Sequence, residues 1–204
     1  MAGVNNPGEN KAWEILSSLQ PNKVCRAAAV VYDSRQETYV IKSFGMDFNI
    51  SVKDRTISSG ADGSTALLQR LSYFFRLSVL WYLVSVKDMA CTNRLVKLEQ
   101  IRGGEAFTKG SHALPLEAIA IKYGKDKEGF IQKGNLLGAL QTGKMGDVSI
   151  QLLPLPRVPV IISLWLEEEE FPARADMLFD STCDLQLPPD ITWSIAMMTA
   201  LMML

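Results

Sequence analysis

The chain has one histidine, three scattered cysteines and no long apolar run, and each shortage removes a class of chemistry. His112 alone cannot build a two-histidine metal site, and a catalytic triad would have only one copy of the commonest base. Ser111 stands beside it, but adjacency in sequence does not give nucleophile-to-base geometry. Cys25, Cys91 and Cys183 are odd in number and far apart, which makes a poor disulfide framework and fits a reducing compartment. Without a CxxC, no ordinary iron–sulfur or zinc site can be built from this chain alone. The apolar stretch at residues 77–86 follows Arg70 and Arg76 and falls short of the ~20 residues that a spanning helix needs. The opening MAGVNNPGENKAW lacks the basic and then apolar run of a signal peptide. The expectation is a soluble, cytoplasmic protein with no membrane segment. An excess of one charge sign is missing too: 21 basic and 22 acidic side chains give a net charge of −1. No global basic field exists to hold nucleic acid.

What is present suffices for one hydrophobic core. The 204 residues are 48% apolar and 21% charged, and a chain of this length buries roughly two-thirds of its unfolded surface. Residues 9–19 read as a short helix stopped near Pro21, with Trp13, Ile15, Leu16 and Leu19 as an imperfect apolar stripe. Residues 24–32 are divided, since their alanines favour helix and their valines favour strand. Residues 38–42 and 47–52 predict two strands about Gly45, and Phe48, Ile50 and Val52 alternate with polar neighbours. Asp62 or Ser64 then caps a long helix to about residue 84. Its leucines and aromatics cover most of the circumference, which marks a helix packed on several sides.

Residues 95–101 alternate weakly. Helices over 114–123 and 129–140 follow, then a hairpin of 148–153 and 158–165 about Pro154-Leu155-Pro156-Arg157. A strand at 174–179 and a terminal helix after Pro188-Pro189-Asp190 complete the pattern. Strands follow one another instead of alternating with helices. The predicted class is therefore α+β, a mixed, largely antiparallel sheet packed on a central apolar helix, in a single domain over residues 1–204.

Three motifs invite chemistry. Gly138-Ala-Leu-Gln-Thr-Gly143-Lys144-Met145 nearly spells a phosphate-binding loop, but Met145 replaces the hydroxyl residue that holds magnesium. It also follows a helix and leads into a strand, the reverse of the working context. A helix C-cap and loop is the better reading. Gly103-Gly104 has no GxGxxG around it and reads as a turn. The strongest anomaly is acidic. Glu167, Glu168, Glu169, Glu170, Asp176, Asp180, Asp184 and Asp190 share the stretch 167–190 with Arg174 alone, a local charge of −7 against +6 for the rest. On an extended strand, alternate glutamates of the run would share a face and could hold a hard cation or act as an acid/base pair. A solvated turn is the simpler account. In the terminal helix, Met197, Met198, Met202 and Met203 suit core packing or an adaptable docking face.

The C-terminal half also has an ordered set of short motifs. Gly146-Asp147 comes first, then Leu155-Pro156-Arg157-Val158-Pro159, Leu164-Trp165, Glu169-Glu170-Phe171-Pro172-Ala173, Leu178-Phe179-Asp180 and Leu187-Pro188. Ile101-Arg102-Gly103-Gly104 precedes them. Together these resemble the prokaryotic family known as domain of unknown function 3786. The resemblance implies an anaerobic bacterial or archaeal setting. Some members of the family are joined to a cysteine-rich iron–sulfur domain of the type found in corrinoid proteins. This chain has no such domain, so the resemblance implies that an iron–sulfur or corrinoid protein would be a partner. It names no catalytic residue and no cofactor.

Three readings of function follow. The first is a noncatalytic accessory module that binds a partner or ligand in anaerobic corrinoid or iron–sulfur metabolism. The second is a carboxylate- or metal-dependent enzyme, with His112, Glu167, Glu168, Glu169, Glu170 and Asp180 as candidate groups that must converge in one pocket. The third is an oligomer that buries its Met-rich helix against a second copy.

Overall fold

The computed structural model describes residues 6–107, 110–143 and 145–204. Helix α1 (Pro7–Ser18) begins at Asn6, whose side chain accepts the Gly8 and Glu9 amide hydrogens. Arg76 holds Glu9, and Trp81 Nε1 donates to the Gly8 carbonyl, so the start of α1 is fixed to the central helix. The divided stretch at 24–32 forms both elements that its composition suggested. Its alanines end α2 (Pro21–Ala28), Ala29 turns the chain at φ 52°, and β1 (Val31–Asp33) follows. Strands β2 (Thr38–Ser43), β3 (Met46–Ser51) and β4 (Thr56–Ser58) then complete a four-stranded antiparallel meander. Tyr39, Ile41, Phe48 and Ile50 are among its buried residues.

The expected long helix has two parts. Residues Ala66–Arg70 form a π-turn, closed by Leu71 N–H to the Ala66 carbonyl, before α3 (Ser72–Ser85). No side chain caps either part, which corrects the expected cap at Asp62 or Ser64. Ser64 contributes its carbonyl instead, to the amides of Leu67 and Leu68. α3 is the central helix, and Phe75, Val79, Leu80, Tyr82 and Leu83 are all buried. Phe75 meets Phe48 of the meander at 4.6 Å between ring centroids.

The second sheet has five antiparallel strands in the order β5-β9-β8-β7-β6. They are β5 (Leu95–Lys97), β6 (Leu140–Gln141), β7 (Val148–Leu155), β8 (Val158–Trp165) and β9 (Arg174–Asp180). The expected hairpin is β7–β8, with a turn of only Pro156-Arg157. Weak alternation after Leu95 ends early, because a 3₁₀ turn at Leu98–Gln100 takes over. Helices α4 (Leu116–Tyr123) and α5 (Lys127–Leu136) lie between β5 and β6. The short α6 (Cys183–Gln186) and α7 (Pro189–Met203) end the chain.

Methionines 198, 202 and 203 of α7 are buried, so the core uses them. The carbonyls at the end of α7 are taken up by Arg70, Tyr123 and Lys122. The α+β class and the central apolar helix stand as read. The strands, however, divide into two sheets, and every pairing in them is antiparallel.

The two sheets meet at a bulge. The β7–β8 register shifts between Leu152 and Leu155, where Pro154 has no hydrogen to give the ladder. The carbonyls released there are used by the other sheet. Phe44 N–H donates to Leu153 O at 2.9 Å, and Ser43 Oγ to Pro154 O at 2.7 Å. Beside this contact Gly45 (φ 76°) and Gly138 (φ 70°) touch backbone to backbone. A Cβ added at Gly138 would lie 3.1 Å from Gly45 Cα, so both the positive φ and the space require glycine.

Candidate functional site

The candidate residues occupy three separate places. Asp180 ends β9 and is 3% exposed. Its Oδ1 accepts from the Thr182 hydroxyl at 2.7 Å and amide at 3.0 Å, and from the Thr92 amide and hydroxyl at 3.1 Å. Oδ2 accepts from Asn93 N–H at 2.6 Å. Burial pushes this carboxyl up, but the hydrogen bonds from Thr182, Thr92 and Asn93 outweigh it and hold the group below the ordinary value of 3.8. Asp180 thereby clamps the 92–94 loop, in which Asn93 adopts φ 60°. With five donors on its two oxygens, it is saturated as a structural anchor.

His112 ends a single 3₁₀ turn (Gly110–His112). Its carbonyl accepts from Trp193 Nε1 at 2.8 Å, and its ring meets the indole edge-on at 5.3 Å. The position on α7 therefore determines where His112 stands.

The four glutamates leave the strand. β8 ends at Trp165, and Glu167 to Glu170 form an exposed corner instead of an extended segment. The alternating faces expected of a strand are therefore not formed, and the pairing of Glu167 with Glu169 or of Glu168 with Glu170 on one face has no basis. Among the described residues, no group of three or more His, Cys, Asp or Glu side chains is placed to hold a metal. No hydrogen bond or ion pair among the described residues joins His112, the glutamates and Asp180 to one another. The glutamate corner and Asp180 lie at opposite ends of β9, about 20 Å apart at the usual rise of a strand.

The corner is held at both ends. Asp147 Oδ2 accepts Leu166 N–H at 2.8 Å, and Glu167 N–H donates to Gly124 O at 3.0 Å. Glu168 N–H closes the turn on Phe171 O at 3.0 Å. Ala173 packs on Gly124, where an added Cβ would come within 2.4 Å of the Ala173 methyl carbon. Arg174 then opens β9 with its guanidinium 4.0 Å from the Trp165 ring centroid. Lys125 pairs with Glu167 at 2.9 Å, while Glu168, Glu169 and Glu170 have no ion pair among the described residues. Phe171 stands beside them at 65% exposure.

Sequence reading missed Arg157. The guanidinium Nε donates to Ala27 O at 2.7 Å, one Nη to Met89 O at 3.0 Å, and the other to Arg26 O at 3.1 Å and Asp88 Oδ1 at 2.9 Å. Its amide donates to the Tyr82 hydroxyl, which itself donates to Ala28 O at 2.7 Å. One turn residue thus ties the β7–β8 hairpin to α2, α3 and the 88–89 loop. The only signal in the sequence was an arginine set between prolines in a turn. In the phosphate-loop look-alike α5 has already ended at Leu136, β6 (Leu140–Gln141) lies inside the motif and Gly143 follows that strand, which corrects the expected helix C-cap there; Lys144 lies outside the described residues.

The remaining reactive groups are muted. Burial pushes the Cys183 thiol up to about 12 and raises those of Cys25 and Cys91. A pocket of about 140 Å³ lies beside β9, lined by Lys97, Asp176, Leu98, Leu114 and Met177. It is smaller than the ~300 Å³ at which sites for drug-sized ligands begin. Lys97 and Asp176 form an ion pair there at 3.2 Å.

No helix among the described residues is long and apolar enough to cross a membrane. Comparison with curated proteins and with solved structures found no match. The motifs singled out in the sequence now have structural places. Gly146-Asp147 and the glutamate-to-alanine segment build the corner, Leu155 to Pro159 carries the Arg157 staple, and Leu178-Phe179-Asp180 ends in the buried clamp. The family description "Domain of unknown function (DUF3786)" matches residues 20–202, and the chain belongs to that family.

Proposed function

We propose that the chain is a noncatalytic accessory module that holds a partner protein through the acidic corner at residues 167–171. One observation carries the reading. Glu168, Glu169 and Glu170 lead directly into an exposed Phe171 on a turn that a backbone hydrogen bond keeps closed. Like charges held this close repel one another, and a basic surface relieves that repulsion. Phe171 supplies the aromatic anchor that such an interface places at its centre.

The family resemblance suggests an iron–sulfur or corrinoid protein as the partner, which would carry any cluster or corrinoid itself. We assign both to the cytoplasm, a reading that the three free thiols support. An anaerobic pull-down with the native chain as bait tests the proposal, alongside the triple variant Glu168→Lys, Glu169→Lys, Glu170→Lys. The expected result is capture of a cysteine-rich or corrinoid protein at low salt, lost in the triple variant and weakened by salt. Failure to recover such a protein, or equal capture by the variant, refutes the reading.

A further inference from the structure

The five-stranded sheet leaves a gap beside β9. Strand β5 pairs with Leu178, Phe179 and Asp180 and stops at Lys97, because the 3₁₀ turn at Leu98–Gln100 takes the chain away. Asp176 and Met177 therefore have no strand on that side, and they border the pocket of about 140 Å³ instead. Its lining has two kinds of surface. Leu98 and Met177 are each 4% exposed, and with the half-buried Leu114 and Leu116 they form an apolar floor. Lys97, Glu99 and Asp176 are the polar groups, one cation against two carboxylates.

The carboxylates are incompletely used. Lys97 Nζ donates to Asp176 Oδ2 at 3.2 Å, and Arg174 stands 4.0 Å from the same oxygen. Among the described residues, nothing donates to Asp176 Oδ1, and the exposed Glu99 carboxylate has no ion pair. Open acceptors thus stand beside an apolar floor, the arrangement that orients a small ligand by one end and buries the other. A cavity of ~150 Å³ holds a molecule the size of benzene, so a tail of about five carbons fills this one. A carboxylate ligand would have Lys97 alone to meet it and would face two like charges.

We propose that this pocket binds a small primary ammonium ion with a short aliphatic tail, the ammonium between Asp176 Oδ1 and Glu99 and the tail on Leu98, Leu114 and Met177. The three hydrogens of a primary ammonium can serve both carboxylates at once, while Lys97 keeps Asp176 Oδ2. None of Glu168, Glu169, Glu170 and Phe171 takes part, so this site and the acidic corner can fail independently.

The test adds isoamylamine hydrochloride to the whole chain and follows the methyl signals of Met177 and Leu114 by NMR. Ammonium chloride at equal ionic strength carries the charge without a tail. Isocaproate carries a similar tail with the opposite charge. A saturable shift with isoamylamine alone is expected. Asp176→Asn raises its midpoint roughly tenfold, the loss of one charge-assisted hydrogen bond. Glu99→Gln, on an exposed side chain outside the fold's own contacts, raises it roughly threefold. Three results would each overturn the proposal: no saturable shift with isoamylamine, an equal shift with ammonium or isocaproate, or an unchanged midpoint in either variant.

Discussion

Replacing Asp180 by asparagine separates an anchoring carboxylate from a reactive one. The substitution keeps the shape and removes the charge. One asparagine oxygen can still serve Thr182 and Thr92, but the amide NH₂ then faces Asn93 N–H, which now meets Oδ2 at 2.6 Å. A donor left opposite a donor costs about 1–3 kcal/mol, and the remaining bonds lose their charge assistance. The combined loss is about 3 kcal/mol at neutral pH, or roughly 6–12 °C in Tm for a domain of this size.

The pH dependence has a definite sign. The folded carboxyl sits below its ordinary value of 3.8. Its contribution is therefore complete above that value and is lost as pH falls through the lower, folded one. Urea denaturation of both proteins at neutral pH, and again in steps below pH ~4, measures the difference between them. The gap should be wide at neutral pH and should narrow only in the acid series. A gap under about 1 kcal/mol at pH 7, or one that ignores acid, would refute the assignment of Asp180 as a charged anchor.

Two further outcomes follow from the same packing. Arg157→Lys leaves a point charge that cannot reach the carbonyls of Ala27, Arg26 and Met89 together. Thermal denaturation should show a loss of about 2 kcal/mol, and hydrogen exchange should quicken first in α2. Ellman's reagent at pH ~8 should leave Cys183 unmodified in the folded chain and reach all three thiols after urea, since burial keeps the folded Cys183 thiol protonated. Prompt modification of Cys183 in the native protein would contradict its place in the core.

Where apolar or β-rich residues run through a whole element, the fold could be read in advance. The β7–β8 hairpin and α3 follow from such runs, whereas residues 24–32 stayed divided between helix and strand, and the structure divides them at Ala29. The three-residue strands β1 and β4 are too short to show a period, and they form because β2 and β3 offer them edges. The π-turn before α3 depends on packing around Leu67 and Leu71 and has no sequence signature.

At the candidate site the limits were sharper. Four glutamates in a row do not say whether the chain is extended or turned. That was decided by the packing of Ala173 on the distant Gly124 and by the Trp165–Arg174 stack, neither of which the run of glutamates itself shows. Asp180 looked like any other carboxylate until the loop at 92–93 closed over it.

The contact of Gly45 with Gly138 also bears on how this chain can change over generations. Two distant turns share one small space: a Cβ at Gly138 would crowd Gly45 Cα at 3.1 Å, and the positive φ of both glycines disfavours a side chain at either. A lineage that altered one turn would have to remodel its opposite number as well. An insertion is therefore better tolerated in the remote loops than at this crossing.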